Sequence, residues 1–357
     1  MSAARINPRA ATLADVGRAA GVSAMAASAV LNQAKTSSRI SPDTRARILA
    51  AAAKLNYRPN VAARALAARR MHTIGLAAVV DLQGELNHYF MEVLNGVIEA
   101  AARYDQNTTV FTLHDWHQEA SRVGGFCDGR IDGLILLAPL MSEAQGRQLP
   151  LHTPFVALHA NTPLPSVVNI ESDEEAGFYN LVSHLIGLGH RRILLISGEL
   201  SFLGAQRRKK GYLRALADAG IAPDPELQAA AGSSVDSGRL SLKQWLATHA
   251  GQPLPEAIVC YNDSVAFGCL EVLAEAGVRV PQDVSVAGFD DTLAARTTVP
   301  QLTTVRQPLR EMGQRAVEVL LKRIGHAADA AATPVVFPTE LILRASVGVP
   351  RTQVLRA

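Results

Sequence analysis

Three scarcities bound what this chain can be. Cysteine is the first: Cys127, Cys260 and Cys269 are the only three in 357 residues. An odd, widely spaced set fits neither a disulfide framework nor a zinc site, and reads as small core residues in a reducing compartment. Long hydrophobic runs are the second. No apolar stretch reaches the roughly 18 residues that a membrane-spanning helix needs. Met1 to Ala11 also lacks the apolar core of a secretion signal, so a cytoplasmic protein is expected. The third scarcity is local. Residues 1–72 hold only two acids, Asp15 and Asp43, against 12 Lys and Arg, a net +10, while the remainder holds 23 bases and 30 acids, a net −7. A basic head on an acidic body is the electrostatic footprint of nucleic-acid binding, with a solvated basic surface as the alternative. Catalytic signatures are missing too. The sequence has no Walker motif, no G-x-G-x-x-G after its first strand, no G-x-S-x-G and no H-E-x-x-H. Neither an enzyme nor a cofactor is therefore expected.

What is present begins with helix punctuation. Thr12 can cap a helix, and Asp15 three positions on imitates a capping box. Leu13, Val16 and Ala20 then share a face. Gly21 can take the left-handed conformation that ends it. Ser23 can cap a second helix running to about Asn32, with Ala27, Val30 and Leu31 apolar. Two short helices joined by Ala-Gly-Val make a helix-turn-helix. Ser41-Pro42-Asp43 opens a third helix, ending near Asn56, with Ile48, Leu49, Ala52 and Leu55 facing inward.

The pieces Thr12–Val16, Ala20–Ser23, Val30–Asn32, Leu55–Asn60 and Ala65–Ala67, in this order and spacing, resemble the lactose-repressor (LacI/GalR) family. The resemblance implies a helix-turn-helix DNA-binding domain over 12–58 and a hinge helix and linker over 59–72. It places the second helix in the major groove and Leu66 as a wedge in the minor groove, where an apolar side chain unstacks a base step. Thr12, Ser23, Ala24, Met25, Ser28, Ala29, Asn32, Tyr57, Asn60, Ala63 and Leu66 are the candidate DNA-binding residues. One departure matters. The family usually has Thr-Val-Ser-Arg where this chain has Ala26-Ala27-Ser28-Ala29. The arginine would grip guanine with two hydrogen bonds; alanine offers only apolar contact. An operator leaning on T·A pairs and on deformability is expected, or else a head of reduced specificity.

Beyond Arg70 the pattern alternates short apolar runs with helical stretches. Strands are predicted at 74–80, 108–113, 133–137, 155–158, 193–197, 257–260, 284–288 and 303–306. Helices are predicted at 89–102, 177–188, 207–219, 240–248, 265–275 and 309–323. Such alternation argues for parallel sheets covered on both faces, and the number of elements for two lobes with a cleft between them. The resemblance continues through Arg130–Gly133, Leu188–Arg192, Arg208–Tyr212, Asn262-Asp263, Val284–Asp291 and Glu340–Ser346. It implies an α/β two-lobed, periplasmic-binding-protein-like sensor over 73–346. The chain would cross between lobes near 168–171, 289–292 and 320–323.

By that resemblance Arg208 holds ligand hydroxyls or a carboxylate, and Asn262 and Asp290 hydrogen-bond the ligand. Turn or cap duty is the alternative for the last two. Tyr89 and Phe90 match aromatic positions at the cleft mouth, with core packing as the alternative, and Gln307 a position near the lobe crossing. Trp116, which no family motif covers, could stack on a sugar ring. His114, Asp115 and His117 read as loop polar residues and not as metal ligands. The whole implies a transcription repressor, homodimeric on a pseudo-palindromic double-stranded operator, controlled by a small molecule, a sugar or sugar derivative. A purine-like effector stays open, because aromatic stacking suits either ring.

Overall fold

The structure, a computed structural model, describes residues 10–32, 40–58, 70–80, 88–324 and 333–350. They fall into two compact units divided between His72 and Thr73.

The first unit holds α1 (Leu13–Ala20), α2 (Ala24–Leu31) and α3 (Pro42–Lys54). Their ends follow the predicted punctuation. The Thr12 and Asp15 side chains form a reciprocal capping box, and Gly21 stops α1 at φ 68°. Ser23 accepts from the Ala26 amide at 3.2 Å, and Ser41 accepts from Thr44 with Pro42 at the first helical position. Val16, Ala20, Ala27, Val30, Ile48, Ala51 and Ala52 form the core. Close approach of α1 to the turn requires Gly17, because a Cβ there would lie 2.8 Å from the Val22 carbonyl oxygen. Two expected inward residues on α3 face out: Leu49 is 50% exposed and Leu55 37% exposed. The buried stripe runs Ile48, Ala51, Ala52; Leu49 lies about 100° further round the helix, and Leu55 is the cap residue at its C-terminal end.

The second unit has two lobes. Lobe 1 is a six-stranded parallel sheet in the order β11-β5-β4-β3-β1-β2. Its strands are β1 (Thr73–Val79), β2 (Asn107–Leu113), β3 (Gly133–Leu137), β4 (Phe155–Leu158), β5 (Val168–Ser172) and β11 (Val335–Phe337). Helices α4 (His88–Arg103) and α11 (Leu309–Arg323) cover one face through Val93, Val97, Met312 and Val317. The other face packs Trp116, on the short α5 (Trp116–Glu119), against Leu113, Leu134 and Leu136. A further short helix, α6 (Glu143–Arg147), follows β3. Lobe 2 is a four-stranded parallel sheet in the order β7-β6-β8-β9, made of β6 (Ile193–Ser197), β7 (Gln228–Ala230), β8 (Ala257–Cys260) and β9 (Ser285–Ala287). One face carries α7 (Glu174–Gly187) and α8 (Leu203–Asp218), the other α9 (Val235–Thr248) and α10 (Asp263–Glu275). Burial on both faces explains why the central strands β3, β4, β6 and β8 read as continuous apolar runs.

The chain passes between lobes three times. The first passage, β5 into α7, is close to where it was expected. The second runs from β10 (Thr304–Arg306) through Gln307 and Pro308 into α11, and the third from β11 to β12 (Glu340–Ile342), which pairs antiparallel with β10. Neither lies where expected. Residues 289–292 stay in lobe 2, with Asp290 bridging to Arg306, and residues 320–323 are the last turn of α11. A loop between two lobes and a loop within one look alike in sequence. Among the described residues, no helix is long and apolar enough to cross a membrane.

Candidate functional site

The exposed surface of the helix-turn-helix is unusual in what it carries. Ser23, Ala24 and Met25 are exposed at the start of α2, with Met25 at 83%. Ser28 and Ala29 are half-buried. The Asn32 amide donates to the Ser28 hydroxyl at 3.0 Å. No basic or acidic residue lies on α2. Thr12 is committed elsewhere: its hydroxyl donates to Asp15 at 2.7 Å and its amide at 3.0 Å. Tyr57 packs against the core of the unit. Asn60, Ala63 and Leu66 lie outside the described residues.

In the second unit a cleft of about 560 Å³ opens between the lobes at the carboxyl ends of their strands. Lobe 1 lines it with Tyr89, Trp116 and His159, and lobe 2 with Glu174, Arg208, Tyr261, Asn262 and Asp290. Sequence reasoning thus places five of its seven ligand candidates on the cleft wall: Tyr89, Trp116, Arg208, Asn262 and Asp290. Phe90 and Gln307 require correction. Phe90 packs against the apolar core of lobe 1, since it sits one residue round α4 from Tyr89. Gln307 is buried behind the cleft, held between Ser172 and Asp290.

Each wall residue has a physical environment that limits what it can do. The Arg208 guanidinium lies 4.0 Å over the Phe289 ring and 4.5 Å over the Tyr261 ring. It donates to Glu174 at 2.6 and 3.2 Å and to the Tyr261 carbonyl at 2.5 Å. Burial opposes its charge, but Glu174, Tyr261 and Asp290 hold the arginine above its ordinary range. Most of its five donors are therefore already occupied. Asn262 caps α10, accepting from Val265 at 2.8 Å and donating to Ser233 at 2.9 Å. It lines the cleft while doing the cap duty that was its alternative reading. The Trp116 indole donates to the Leu137 carbonyl at 3.2 Å, which fixes the ring in the lobe 1 core with one edge on the cleft.

Asp290 adopts φ 124°, in the region that favours glycine. Holding a non-glycine residue there costs about 1–3 kcal/mol and is tolerated where surrounding structure over-determines it. Burial pushes its carboxyl up to about 6, against the opposing pull of Arg208 and Gln307. Behind it the fully buried Asp263 is pushed up to about 8 by burial and by Asp290. Its oxygens accept from Thr304 (2.6 Å) and from Thr292 (2.8 and 3.0 Å). The neighbouring Asp291, also at positive φ, is tied down by Arg296, Arg306 and Arg344. The cleft lining counts four carboxylates, Asp115, Glu174, Glu199 and Asp290, against the single guanidinium of Arg208.

Glu174, His159 and Tyr261 were missed from sequence. Glu174 had one available signal: a buried arginine needs a carboxylate, and Glu174 follows directly on the first lobe crossing. His159, at φ 50°, had none. Among the described residues no group of three or more His, Cys, Asp or Glu is arranged to hold a metal.

A helix-turn-helix on one unit and a polar, aromatic cleft between the lobes of the other define a DNA-binding regulator with a small-molecule sensor. Residues 12–60 match the bacterial regulatory proteins of the lacI family, and residues 182–347 match the periplasmic binding protein-like domain. The chain is 32% identical over 338 residues to the ribose operon repressor of Haemophilus influenzae, covering 94% of this chain and 98% of that protein. Among solved structures it is similar to the lac repressor dimer bound to operator and the anti-inducer ONPF, with TM-score 0.81, 29% identity and coverage of 95% and 100%. It is also similar to a complex of the transcriptional regulator CelR with cellobiose, with TM-score 0.69, 29% identity and coverage of 94% and 99%. The chain belongs to the lacI family of bacterial transcription regulators.

Proposed function

We propose that this regulator is a repressor that binds a pseudo-palindromic operator as a homodimer, and that a sugar or sugar derivative in the cleft sets its affinity for that DNA. It works by binding alone, in the cytoplasm. The observation that carries the effector class is the convergence of Arg208, Asn262 and Asp290 from lobe 2 with Tyr89 and Trp116 from lobe 1. Aromatic faces against charged hydrogen-bonding groups suit a ring bearing several hydroxyls. The relatives support the reading, since the CelR structure contains cellobiose and the lac repressor structure is a dimer on its operator.

In this reading residues 12–58 are the DNA-binding domain and 59–72 the hinge, with Asn60, Ala63 and Leu66 at the minor groove by family resemblance. Ser23, Ala24, Met25, Ser28, Ala29 and Asn32 meet the major groove. Thr12 and Tyr57 support the head from its scaffold. The sensor over 73–346 changes the relative position of its lobes when occupied, and so the hinge. The coupling this requires is typically about 1–3 kcal/mol.

The test is selection of binding sites from a randomised DNA pool by the full chain, then a salt titration on the best site. A pseudo-palindrome with a steep salt slope is expected. Neutral sugars are then added to the complex. Arg208→Ala should abolish their effect and preserve operator binding. A normal response in that variant would remove Arg208 from the effector site, and selection of no preferred sequence, with or without sugars, would remove the operator reading.

A further inference from the structure

Five side chains form one hydrogen-bonded line behind the cleft. The Tyr89 hydroxyl meets His159 Nδ1 at 2.6 Å, and His159 Nε2 meets the Ser172 hydroxyl at 3.3 Å. Ser172 bonds the Gln307 amide oxygen, and Gln307 Nε2 donates to Asp290 Oδ1 at 2.6 Å. The line starts on α4 of lobe 1, runs through both the first and second lobe passages, and ends in lobe 2. Tyr89, His159 and Asp290 line the cleft, while Ser172 and Gln307 are buried behind it.

The direction of every bond follows from the far end. An ionised carboxylate only accepts, so Gln307 must turn its NH₂ group to Asp290 and its oxygen to Ser172. Ser172 therefore donates its only proton to Gln307 and can only accept from His159. His159 then carries its proton on Nε2. A neutral imidazole with that tautomer has a bare Nδ1, which accepts from the Tyr89 hydroxyl. All four bonds point the same way, and bonds so aligned polarise and strengthen one another. His159 stays neutral because burial holds it below its ordinary value. Around it the carboxylates of Glu174 and Glu171 pull upward, and Arg208 and Arg207 pull downward.

We propose that His159 is a positioning and specificity-determining residue: it turns the Tyr89 proton inward, so that Tyr89 and Asp290, one on each lobe, both meet an effector as acceptors. This deepens, and rests on, the reading of the cleft as the effector site. The ligand class follows from the polarity. An effector that spans the lobes must offer donors at both ends, as a neutral polyhydroxylated sugar does. A phosphate or carboxylate substituent offers only acceptors there and meets a wall with four carboxylates and one already paired arginine. The effector is an unphosphorylated, non-acidic sugar.

Two measurements test this, and the first needs no effector. The full chain labelled with ¹⁵N-histidine is read by long-range ¹H–¹⁵N correlation near neutral pH, with His159 assigned by the signals lost in His159→Gln. A single Nε2–H tautomer is expected. In Asp290→Asn the carboxylate no longer forces the direction, so a mixture with the Nδ1–H tautomer is expected. Ser172→Ala, which breaks the line in the middle, should give the same mixture. An Nδ1–H or doubly protonated His159 in the wild type, or a tautomer unmoved in both variants, overturns the proposal whether or not the protein binds sugar. The second measurement is calorimetric titration with matched probes: ribose against ribose 5-phosphate, glucose against glucose 6-phosphate, cellobiose against its phosphate. The neutral member should bind at least about tenfold tighter, and Ser172→Ala should narrow that margin. A phosphorylated member that binds tighter than its parent overturns the ligand class. Loss of operator binding, by contrast, would strike the regulatory reading and leave the tautomer result standing.

Discussion

The second helix of the head, α2, and the cleft between the sensor's lobes carry opposite amounts of chemistry. At the start of α2 the exposed residues are the N-cap Ser23 with Ala24 and Met25, and the helix carries no charged residue. On the cleft wall, charged and hydrogen-bonding groups are packed against one another, Glu174 beside Arg208 and the buried Asp263 behind Asp290. A surface that binds DNA can draw on backbone amides, helix ends and basic groups elsewhere on the head, because phosphate contacts position without reading sequence. A pocket that selects a small molecule has no such reserve, and every buried polar group in it must be paired. If the head binds chiefly through such contacts, alanine at position 29 costs it little, whereas the cleft should tolerate almost no substitution.

The largest effect should come from Glu174. Glu174→Gln leaves the Arg208 charge buried beside a neutral partner, and breaking such a pair costs about 3–5 kcal/mol. Urea unfolding followed by tryptophan fluorescence reads this, with Trp116 in lobe 1 and Trp245 in lobe 2 as reporters. Because burying two charges is itself costly, adding Arg208→Met should recover much of the loss. A double variant no more stable than the single one would mean that the guanidinium contributes mainly by its stacking on Phe289 and Tyr261.

Next comes a pH effect with a definite sign. Asp290 is raised from its ordinary 3.8 to about 6. Over that interval the folded protein holds a proton that the unfolded chain has released. Its contribution to stability is thus present at low pH and lost as pH rises through about 6. Asp263, raised to about 8, extends the same slope upward. Relative to Asp290→Asn, the wild type should lose stability between about pH 4 and 6. Urea midpoints of the two proteins across that range measure it, and a wild type gaining on the variant would show that Arg208 and Gln307 outweigh burial.

How legible these two regions were in sequence differs for the same reason. The head was read almost to the residue, because Thr12–Asp15, Gly21, Ser23 and Ser41-Pro42 are local signals within three or four positions of what they act on. Eight of the sensor's strands were legible as apolar runs, while β5, β7, β11 and β12 were not predicted. Helices α7, α8 and α9 begin three to five residues before their predicted starts, at Glu174, Leu203 and Val235. Their first turns are mostly polar or small, and an apolar period cannot register there. The two later lobe passages were misplaced because nothing local marks them. Glu174 and Arg208 are 34 positions apart, and Ser172 and Gln307 are 135 apart. Such partners become visible only when the sheets have brought them together.

The third effect sharpens the contrast from the head's side. Ala29→Arg supplies a side chain able to donate two hydrogen bonds to guanine O6 and N7, each good pair being worth about 1–3 kcal/mol of discrimination. Sites selected from random DNA should gain a fixed guanine in each half-site. Identical sites for both proteins would mean that α2 is not seated with this position over a base edge.

The smallest effect separates scaffold from readout at one residue. Ser23 accepts from the Ala26 amide, and Ser23→Ala removes that cap at a cost of about 0.5–2 kcal/mol to the head, whereas Ser23→Gly costs only a few tenths. If the head holds DNA chiefly through its frame, the alanine variant should lose affinity by a similar factor for every sequence, and the glycine variant should lose less. The selected site should not change in either. A changed base preference in both variants would instead make Ser23 a reader, and the poverty of α2 would then be only apparent, with its sequence information carried at the N-terminus in place of the vacant arginine position.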